Sequence, residues 1–166
     1  MTVKPSVSLV AVAGRRRPTL ELVQRLEQEG FGGIYCPSPG DGLALCQALA
    51  LSTRTIAFGT SIANIYTRHP FDYAQTAAVI HELSGTRFRF GIGVSHGPTH
   101  QRLALRVGKP LDDVRTFVAD LRAAAPQVGG LPPLVLATLR RRMVALSAEI
   151  AEGARARSGP TAPART

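Results

Sequence analysis

The chain has 166 residues, of which 45% are hydrophobic, and its formal net charge is +9. This length allows one domain with a sizeable core, and the lack of a membrane-length apolar run or a signal peptide predicts a soluble cytoplasmic protein. The arginines fall in short clusters and not along an aromatic-lined stripe, which argues against nucleic-acid binding and fits a basic rim around an anionic small-molecule site.

Strand-like and helix-like segments alternate along the chain in five successive pairs. The predicted strands are Val7–Val12, Gly33–Cys36, Ile56–Ile62, Phe88–Val94 and Leu134–Ala137. The predicted helices are Thr19–Gln28, Gly42–Leu51, Pro70–Ser84, Pro110–Ala124 and Arg141–Ala151. Such alternation favours a parallel α/β sheet with right-handed crossovers. Residues 154–166 lack apolar periodicity, and we expect them to form a disordered basic tail.

Polar residues follow two of the predicted strands at the points where they end. Ser61 lies at the end of the third strand and Asn64 just beyond it, and Ser95 and His96 follow the fourth. A strand that is buried on both faces should be apolar throughout, and the carboxyl ends of parallel strands are where α/β folds place their sites. We therefore expect these side chains to gather at one edge of the sheet.

Several segments, taken in order, carry a family resemblance: Gly30–Tyr35, Leu49–Pro70, Arg87–His96, Lys109–Arg115 and Pro133–Leu139, followed by Met143. They resemble the luciferase-like monooxygenase superfamily, and more narrowly its oxidoreductases that depend on the deazaflavin coenzyme F420. The resemblance implies a TIM (β/α)8 barrel, with the cofactor ring over the carboxyl ends of the strands.

The chain is too short for that fold. A complete barrel needs about 250 residues, so we expect residues 1–153 to form an incomplete TIM barrel of five βα units, the product of a truncation or a shifted reading frame. Such a sheet would leave two edges and an apolar interior exposed to water. We therefore expect the protein to associate into a homo-oligomer.

The resemblance places Asn64 beside the cofactor ring, where its amide can donate to a ring carbonyl or accept from a ring N–H. The alternative is that Asn64 caps a loop. Ile62 and Ala63 are also implied to bind the cofactor, because relatives often hold a non-proline cis peptide bond there. Such a bond costs about 3–4 kcal/mol and is kept mainly where function requires it.

Ser95 and His96 follow a Gly-Ile-Gly run, which lets the backbone approach a ligand closely. Ser95 is implied to bind the cofactor, and His96 to donate a proton to the substrate or to bond the cofactor. Alternatively, His96 bonds a neighbouring backbone carbonyl. His100 is expected to be solvated in a loop, and His81 to be structural.

Thr138 and Arg140 lead into a predicted helix, and helix starts bind anions through free N–H groups and the helix dipole. The resemblance implies that the cofactor phosphate docks there, with a solvated arginine cluster as the alternative. Pro37 and Ser38, after the second predicted strand, are expected to border the substrate pocket. Asp41 is expected to cap the helix that follows it.

The sequence offers no metal-ligand cluster, no hydrolytic triad and no pair of carboxylates. The spacing of Cys36 and Cys46 is neither that of a metal site nor that of a redox CxxC pair, so we expect two buried free thiols. Few polar groups among apolar walls suit a reaction that the cofactor carries out. We therefore expect an oxidoreductase that transfers a hydride between coenzyme F420, or alternatively FMN, and a small organic substrate. Two other hypotheses remain: a truncated, non-catalytic barrel that only binds ligand weakly or self-associates, and a binder of acidic polymers.

Overall fold

The computed structural model describes residues 4–156 as parallel strands that alternate with helices. The strands are β1 (Lys4–Ser8), β2 (Phe31–Cys36), β3 (Phe58–Thr60), β4 (Ala63–Asn64), β5 (Phe88–Gly93), β6 (Leu134–Thr138) and β7 (Gly153–Ala156). The helices are α1 (Arg16–Gln28), α2 (Gly42–Ser52), α3 (Pro70–Leu83), α4 (Gly97–Arg102), α5 (Pro110–Val128) and α6 (Arg141–Ile150). No helix among these residues is long and apolar enough to cross a membrane.

Sheet order follows chain order. The strands lie in the order β1-β2-β3-β5-β6-β7, with β4 paired to β5, and every pairing is parallel. Each parallel step needs a crossover connection, which α1, α2, α3, α5 and α6 supply. The incomplete barrel that the sequence predicts is therefore confirmed.

The core lies between the sheet and its helices. Ile34, Phe88, Phe90 and Leu136 point to this side and are at most 1% exposed. Tyr73 on α3 joins the two layers, because its ring centroid lies 5.6 Å from that of Phe90 and 5.6 Å from that of Phe117 on α5. Each large side chain buried in this way contributes about 1.5–3 kcal/mol to folding.

The opposite face of the sheet carries small and charged residues beside apolar ones such as Tyr35 and Val135. Gly33, Gly59 and Gly91 occupy it in the middle strands, and Arg89 is an exposed charge beside them. The most exposed large apolar side chains among the described residues are instead Leu139 and Leu51, in a loop and in α2. Small and polar residues therefore limit the apolar area that the open barrel presents to water.

Both ends of the sheet differ from the sequence prediction. β1 begins three residues before the predicted strand Val7–Val12, and its pairing with β2 starts with Lys4 opposite Phe31. Residues Leu9–Val12, which were predicted to belong to the strand, lie in the loop that follows it. At the other end β7 pairs with β6, from Val135 opposite Gly153 onward, where the sequence predicted no strand. The rest of the expected tail, 157–166, lies outside the described residues.

Candidate functional site

A bulge at residues 61–62 separates β3 from β4, which together occupy the third position in the barrel order. Gly59 pairs with Arg89 and Ala63 pairs with Ile92, so this strand has one more residue than β5 over the interval. Extra residues of this kind bend a strand and are frequent next to active sites. The sequence predicted one continuous strand here, and that prediction is wrong.

Thr60 holds the bulge against β5 with its side chain. Its hydroxyl donates to the Gly91 carbonyl oxygen at 2.7 Å and accepts from the Gly91 N–H at 2.8 Å. A Cβ atom on Gly91 would lie 1.9 Å from the Thr60 carbonyl oxygen, so only glycine fits at that position. The Gly-Ile-Gly run thus permits close approach of the two strands. The sequence analysis instead predicted that this run permits close approach of a ligand.

The bulge brings candidate residues from three strands together. The Ser38 hydroxyl donates to the Ile62 carbonyl oxygen, which ties the loop after β2 to the bulge. A Cβ atom on Gly93 would lie 3.1 Å from Ile62 Cγ2 and 3.0 Å from the Ala137 Cβ. Ile62 and Ala137 therefore lie close to Gly93 at the carboxyl edge of the sheet. Pro37 adjoins Ser38, and Thr138 adjoins Ala137.

Asn64 ends β4 and is 5% exposed. Its Oδ1 accepts from the Tyr66 N–H at 3.1 Å, and its carbonyl oxygen accepts from the hydroxyls of Thr67 and Tyr73, each at 2.8 Å. The loop-capping role is therefore present. Its Nδ2 is buried and has no hydrogen-bond partner among the described residues. Oδ1 of the amide already accepts a hydrogen bond, so the group that is still available for hydrogen bonding is the donor Nδ2.

The peptide bond between Ile62 and Ala63 is trans, as are all the peptide bonds between described residues. The cis bond implied by the resemblance is therefore not found. The change of strand direction at this point comes instead from the extra residue of the bulge.

Ser95 and His96 follow β5 at the same edge of the sheet as Asn64, which pairs with Gly93. Ser95 is partly buried and has a left-handed backbone, with φ of 59°. His96 is exposed, and its carbonyl oxygen accepts from the N–H groups of Thr99 and His100 at the start of α4. The His96 imidazole is thus open to solvent at the rim of the site.

His100 makes the backbone contact that the sequence considered for His96. Its Nε2 lies 2.5 Å from the Val94 carbonyl oxygen, and its ring meets the Tyr66 ring edge-on with centroids 5.6 Å apart. The expectation of a solvated His100 is therefore wrong. α4 itself escaped prediction because it buries none of its residues, which leaves no apolar periodicity to detect.

Thr138 ends β6 and is buried, whereas Arg140 is exposed and precedes the first turn of α6. No side chain caps this helix, and its first turn contains no acidic residue. Arg140, Arg141 and Arg142 form no ion pair among the described residues. Free N–H groups and unpaired guanidinium groups at one helix start favour an anion.

An ion pair links two loops of the site. Asp41 Oδ2 lies 3.0 Å from Arg68 Nη2, and Asp41 Oδ1 accepts from the Ala44 N–H, so Asp41 caps α2 as expected. Arg68 also stacks over the Tyr73 ring, 5.7 Å from its centroid. Burial raises the pKa of the Tyr73 hydroxyl, which therefore remains a neutral donor to the Asn64 carbonyl oxygen near neutral pH.

Sequence reasoning missed Thr60 and Tyr73, which bond backbone atoms of neighbouring strands, and Arg68, which pairs with the Asp41 side chain. Their pattern has no local signature, because each partner lies on another element. The neighbouring Cys36 and Cys46 are free and buried as expected, and burial raises the pKa of the Cys46 thiol. No cluster of three or more metal-ligating side chains occurs in the described part of the chain.

A protein-family model described as Luciferase-like monooxygenase matches residues 3–165. The chain belongs to the luciferase-like monooxygenase family. It is 38% identical over 74 residues to the 5,10-methylenetetrahydromethanopterin reductase of Archaeoglobus fulgidus, an alignment that covers 45% of this chain and 22% of the relative.

Two solved structures of related fold differ in their cofactors. The coenzyme F420 dependent tetrahydromethanopterin reductase of Methanopyrus kandleri aligns with a TM-score of 0.77 and 18% identity, over 94% of this chain and 56% of that one. The oxygenating constituent of a 3,6-diketocamphane monooxygenase from Pseudomonas putida, in complex with FMN, aligns with a TM-score of 0.69 and 12% identity, over 82% and 52%. This luciferase-like chain spans about half the length of these structures.

The residues at the carboxyl edge of this luciferase-like chain fit a flat ring that carries a phosphate. Asn64 has a buried donor, Nδ2, without a hydrogen-bond partner among the described residues. Such a donor lowers the stability of the fold unless a bound group accepts its hydrogen bond. Gly93 lies between Ile62 and Ala137, which come too close to it for a side chain at that position. The start of α6 offers an anion site.

Proposed function

We propose that this chain provides the cofactor-binding part of an oxidoreductase that transfers a hydride between coenzyme F420 and a small organic substrate, with FMN as the alternative cofactor. Membership of the luciferase-like family supports the proposal, as do the reductase and monooxygenase that resemble the chain. The observation that carries it is the buried Nδ2 of Asn64, a donor without a partner among the described residues at the carboxyl edge of the sheet.

In this proposal Asn64 orients the cofactor ring. Its Oδ1 is engaged by the Tyr66 N–H, so Nδ2 donates to a carbonyl oxygen of the ring. Ile62 and Ser95 would pack against the ring and would keep water from the face that reacts, whereas the Ala63 side chain belongs to the hydrophobic core. The bound coenzyme supplies the hydride, and the protein supplies orientation and hydrogen bonds.

The cofactor phosphate lies, in this proposal, at the start of α6. Thr138 and Arg140 hold it there, and the free N–H groups of the first turn donate to its oxygens. The unpaired arginines raise the local concentration of an anionic ligand. Binding should therefore weaken as ionic strength rises.

The substrate approaches from the loop after β2, where Pro37 and Ser38 border its pocket. Ser38 is bonded to the Ile62 carbonyl oxygen, so this border is fixed relative to the bulge. His96 stands exposed at the rim, and its imidazole can give a proton to the substrate as the hydride arrives.

A titration tests the proposal directly. Oxidised and reduced coenzyme F420, and separately FMN, are added to the protein while absorbance and fluorescence are followed. Saturable binding of one cofactor is expected, and an absence of any spectral change would leave only a non-catalytic scaffold.

The sharpest variant is Asn64→Asp, which still accepts from the Tyr66 N–H but loses the free donor. We expect its Kd for the cofactor to rise about tenfold or more, the equivalent of one hydrogen bond. Arg54→Ala serves as the control, since Arg54 is exposed in the loop before β3. An unchanged Kd in Asn64→Asp would remove the amide from the site.

We also propose that the protein is cytoplasmic and forms a homo-oligomer. Two buried free cysteines support a reducing compartment, since oxidising compartments favour disulfides. The unpaired outer edge of β1, discussed below, supports self-association.

A further inference from the structure

The connection between β5 and α5, residues 95–109, carries Ser95 and His96 yet contains no buried residue. α4, the helix within it, likewise buries none. Two of its non-glycine residues have a left-handed backbone, Ser95 with φ of 59° and Ala104 with φ of 49°. Since apolar burial contributes little here, the position of the connection depends on a few specific contacts.

Three side chains from different elements make those contacts, and we call Tyr66, His100 and Asp113 the latch. The Tyr66 hydroxyl, on the loop after β4, donates to Asp113 Oδ2 on α5 at 2.7 Å. The same oxygen accepts from the Gly108 N–H at 3.0 Å. His100 on α4 packs its ring against Tyr66, and its Nε2 meets the Val94 carbonyl oxygen.

The latch is also joined to the candidate site. The Tyr66 N–H donates to Asn64 Oδ1 at 3.1 Å. This bond fixes the orientation of the amide, in which Nδ2 is the donor without a partner among the described residues. A displacement of Tyr66 therefore changes both the connection that carries Ser95 and the orientation of the Asn64 amide.

We propose that the latch holds residues 95–109 over the carboxyl ends of β4 and β5, and that Tyr66, His100 and Asp113 are positioning residues for the ligand site at Asn64 and Ser95. The assignment of a ligand to that site rests on the proposed function. Burial and the neighbouring carboxylate of Asp113 raise the pKa of Tyr66, so its hydroxyl remains a donor across the physiological range. Asp113 lies in the first turn of α5, where the helix dipole favours its negative charge.

The test uses Tyr66→Phe, which removes the hydroxyl and keeps the ring against His100. Hydrogen exchange of residues 95–109 is measured without ligand, and the Kd for coenzyme F420 is measured by fluorescence. We expect exchange in this connection to be about tenfold faster and the Kd about tenfold higher, as the loss of one hydrogen bond to a charged group predicts. The strands of the core should exchange at their original rate.

Asp113→Asn is the second variant, and it removes the charge that receives both bonds. Arg115→Ala is the matched control, because Arg115 lies on α5 like Asp113 but forms an exposed ion pair with Glu149 on α6, and its loss should change neither quantity. If both latch variants exchange at the original rate, the latch is overturned. Faster exchange with an unchanged Kd would make the contacts structural only and would overturn their positioning role.

The two proposals fail in different ways. If the unmodified protein binds neither coenzyme F420 nor FMN, the proposed cofactor function fails and the positioning role fails with it. The exchange measurement then still decides whether the latch holds the connection, because it needs no ligand.

Discussion

Glu27 fastens α1 to the loop that leads into β3. A single carboxylate oxygen, Oε1, accepts from the N–H groups of Arg54, Thr55 and Ile56 at 2.9, 2.6 and 2.9 Å. The Thr55 hydroxyl donates to the same atom. Burial alone would raise the pKa of Glu27, but the backbone donors outweigh it and lower the pKa below its ordinary value.

Replacing Glu27 by Gln should lower the free energy of unfolding by about 1–3 kcal/mol near neutral pH, because neutral amide oxygens bind these donors less strongly. The folded-state pKa lies below the unfolded value of about 4.3. The stabilisation is therefore present above that pH and is lost as the pH falls through the folded-state pKa. Denaturant unfolding at about pH 7 and about pH 3 measures both effects.

Glu21→Gln is the matched control for Glu27, since Glu21 lies on α1 and makes no hydrogen bond or ion pair among the described residues. Its stability should match that of the unmodified protein at both pH values. Equal stability of Glu27→Gln and Glu21→Gln at neutral pH would show that the bonds to Oε1 contribute nothing.

At the scale of single residues, the sequence predicted which residues lie at strand ends better than it predicted their contacts. Asn64 and Ser95 were predicted from their place at strand ends and Thr138 from its place before a helix, and each does end or follow a strand at the carboxyl edge. Tyr66 and Asp113 are 47 positions apart along the chain, and their hydrogen bond depends on the packing of α5 beside α3. A contact of this kind leaves no local sequence pattern.

Among the elements, the split third strand is the feature most closely tied to the site. Thr60→Val keeps the shape of the side chain and removes both hydrogen bonds to Gly91. Thr60 is 5% exposed, so water replaces these bonds poorly. We expect the free energy of unfolding to fall by about 1–3 kcal/mol for each group left unsatisfied.

The Thr60 prediction is checked by denaturant unfolding, with Thr116→Val on the exposed face of α5 as the control. The same pair of variants should differ in cofactor affinity, because Ile62 lies two residues from Thr60. Wild-type stability in Thr60→Val would mean that the backbone ladder alone holds the bulge in place.

Elements that bury an apolar face were predicted well, and those that do not were missed. α3 begins at Pro70 as predicted and ends at Leu83, because its buried residues recur at helical spacing. β3 was predicted to continue through the bulge to Ile62 and β4 was not predicted, since a bulge adds a residue without changing composition. β7 was missed because its pairing with β6 comes from the position of α6, and a Gly-Ala-Arg-Ala sequence has low strand propensity.

For the molecule as a whole, the open sheet is the main physical problem. A closed barrel removes all strand edges, whereas β1 has no partner on its outer side among the described residues. The uncovered face has a reduced apolar area because it carries Gly33, Gly59 and Gly91. These glycines do not provide hydrogen-bond partners for the backbone N–H and C=O groups at the free edge of β1. Backbone pairing, more than apolar contact, is therefore the expected driving force for assembly.

The geometry of β1 identifies which residues face outward. The Leu9 N–H donates to the Tyr35 carbonyl oxygen on β2 at 2.9 Å, so the backbone groups of Leu9 and Val7 face the sheet. Alternate residues point the other way, and Ser8 therefore presents its N–H at the free edge. A second copy can pair with this edge antiparallel across a two-fold axis, as in isologous dimers.

Ser8→Pro should prevent that pairing, because proline removes the outward N–H and leaves the ladder to β2 intact. Ser8→Ala changes the same side chain and keeps the N–H, so it is the matched control. Light scattering over a wide range of concentrations should give a multiple of the 17.6 kDa chain mass for the unmodified protein and Ser8→Ala, and a lower mass for Ser8→Pro. A mass of 17.6 kDa for the unmodified protein at every concentration would contradict self-association, and an equal multiple in all three proteins would place the interface away from β1.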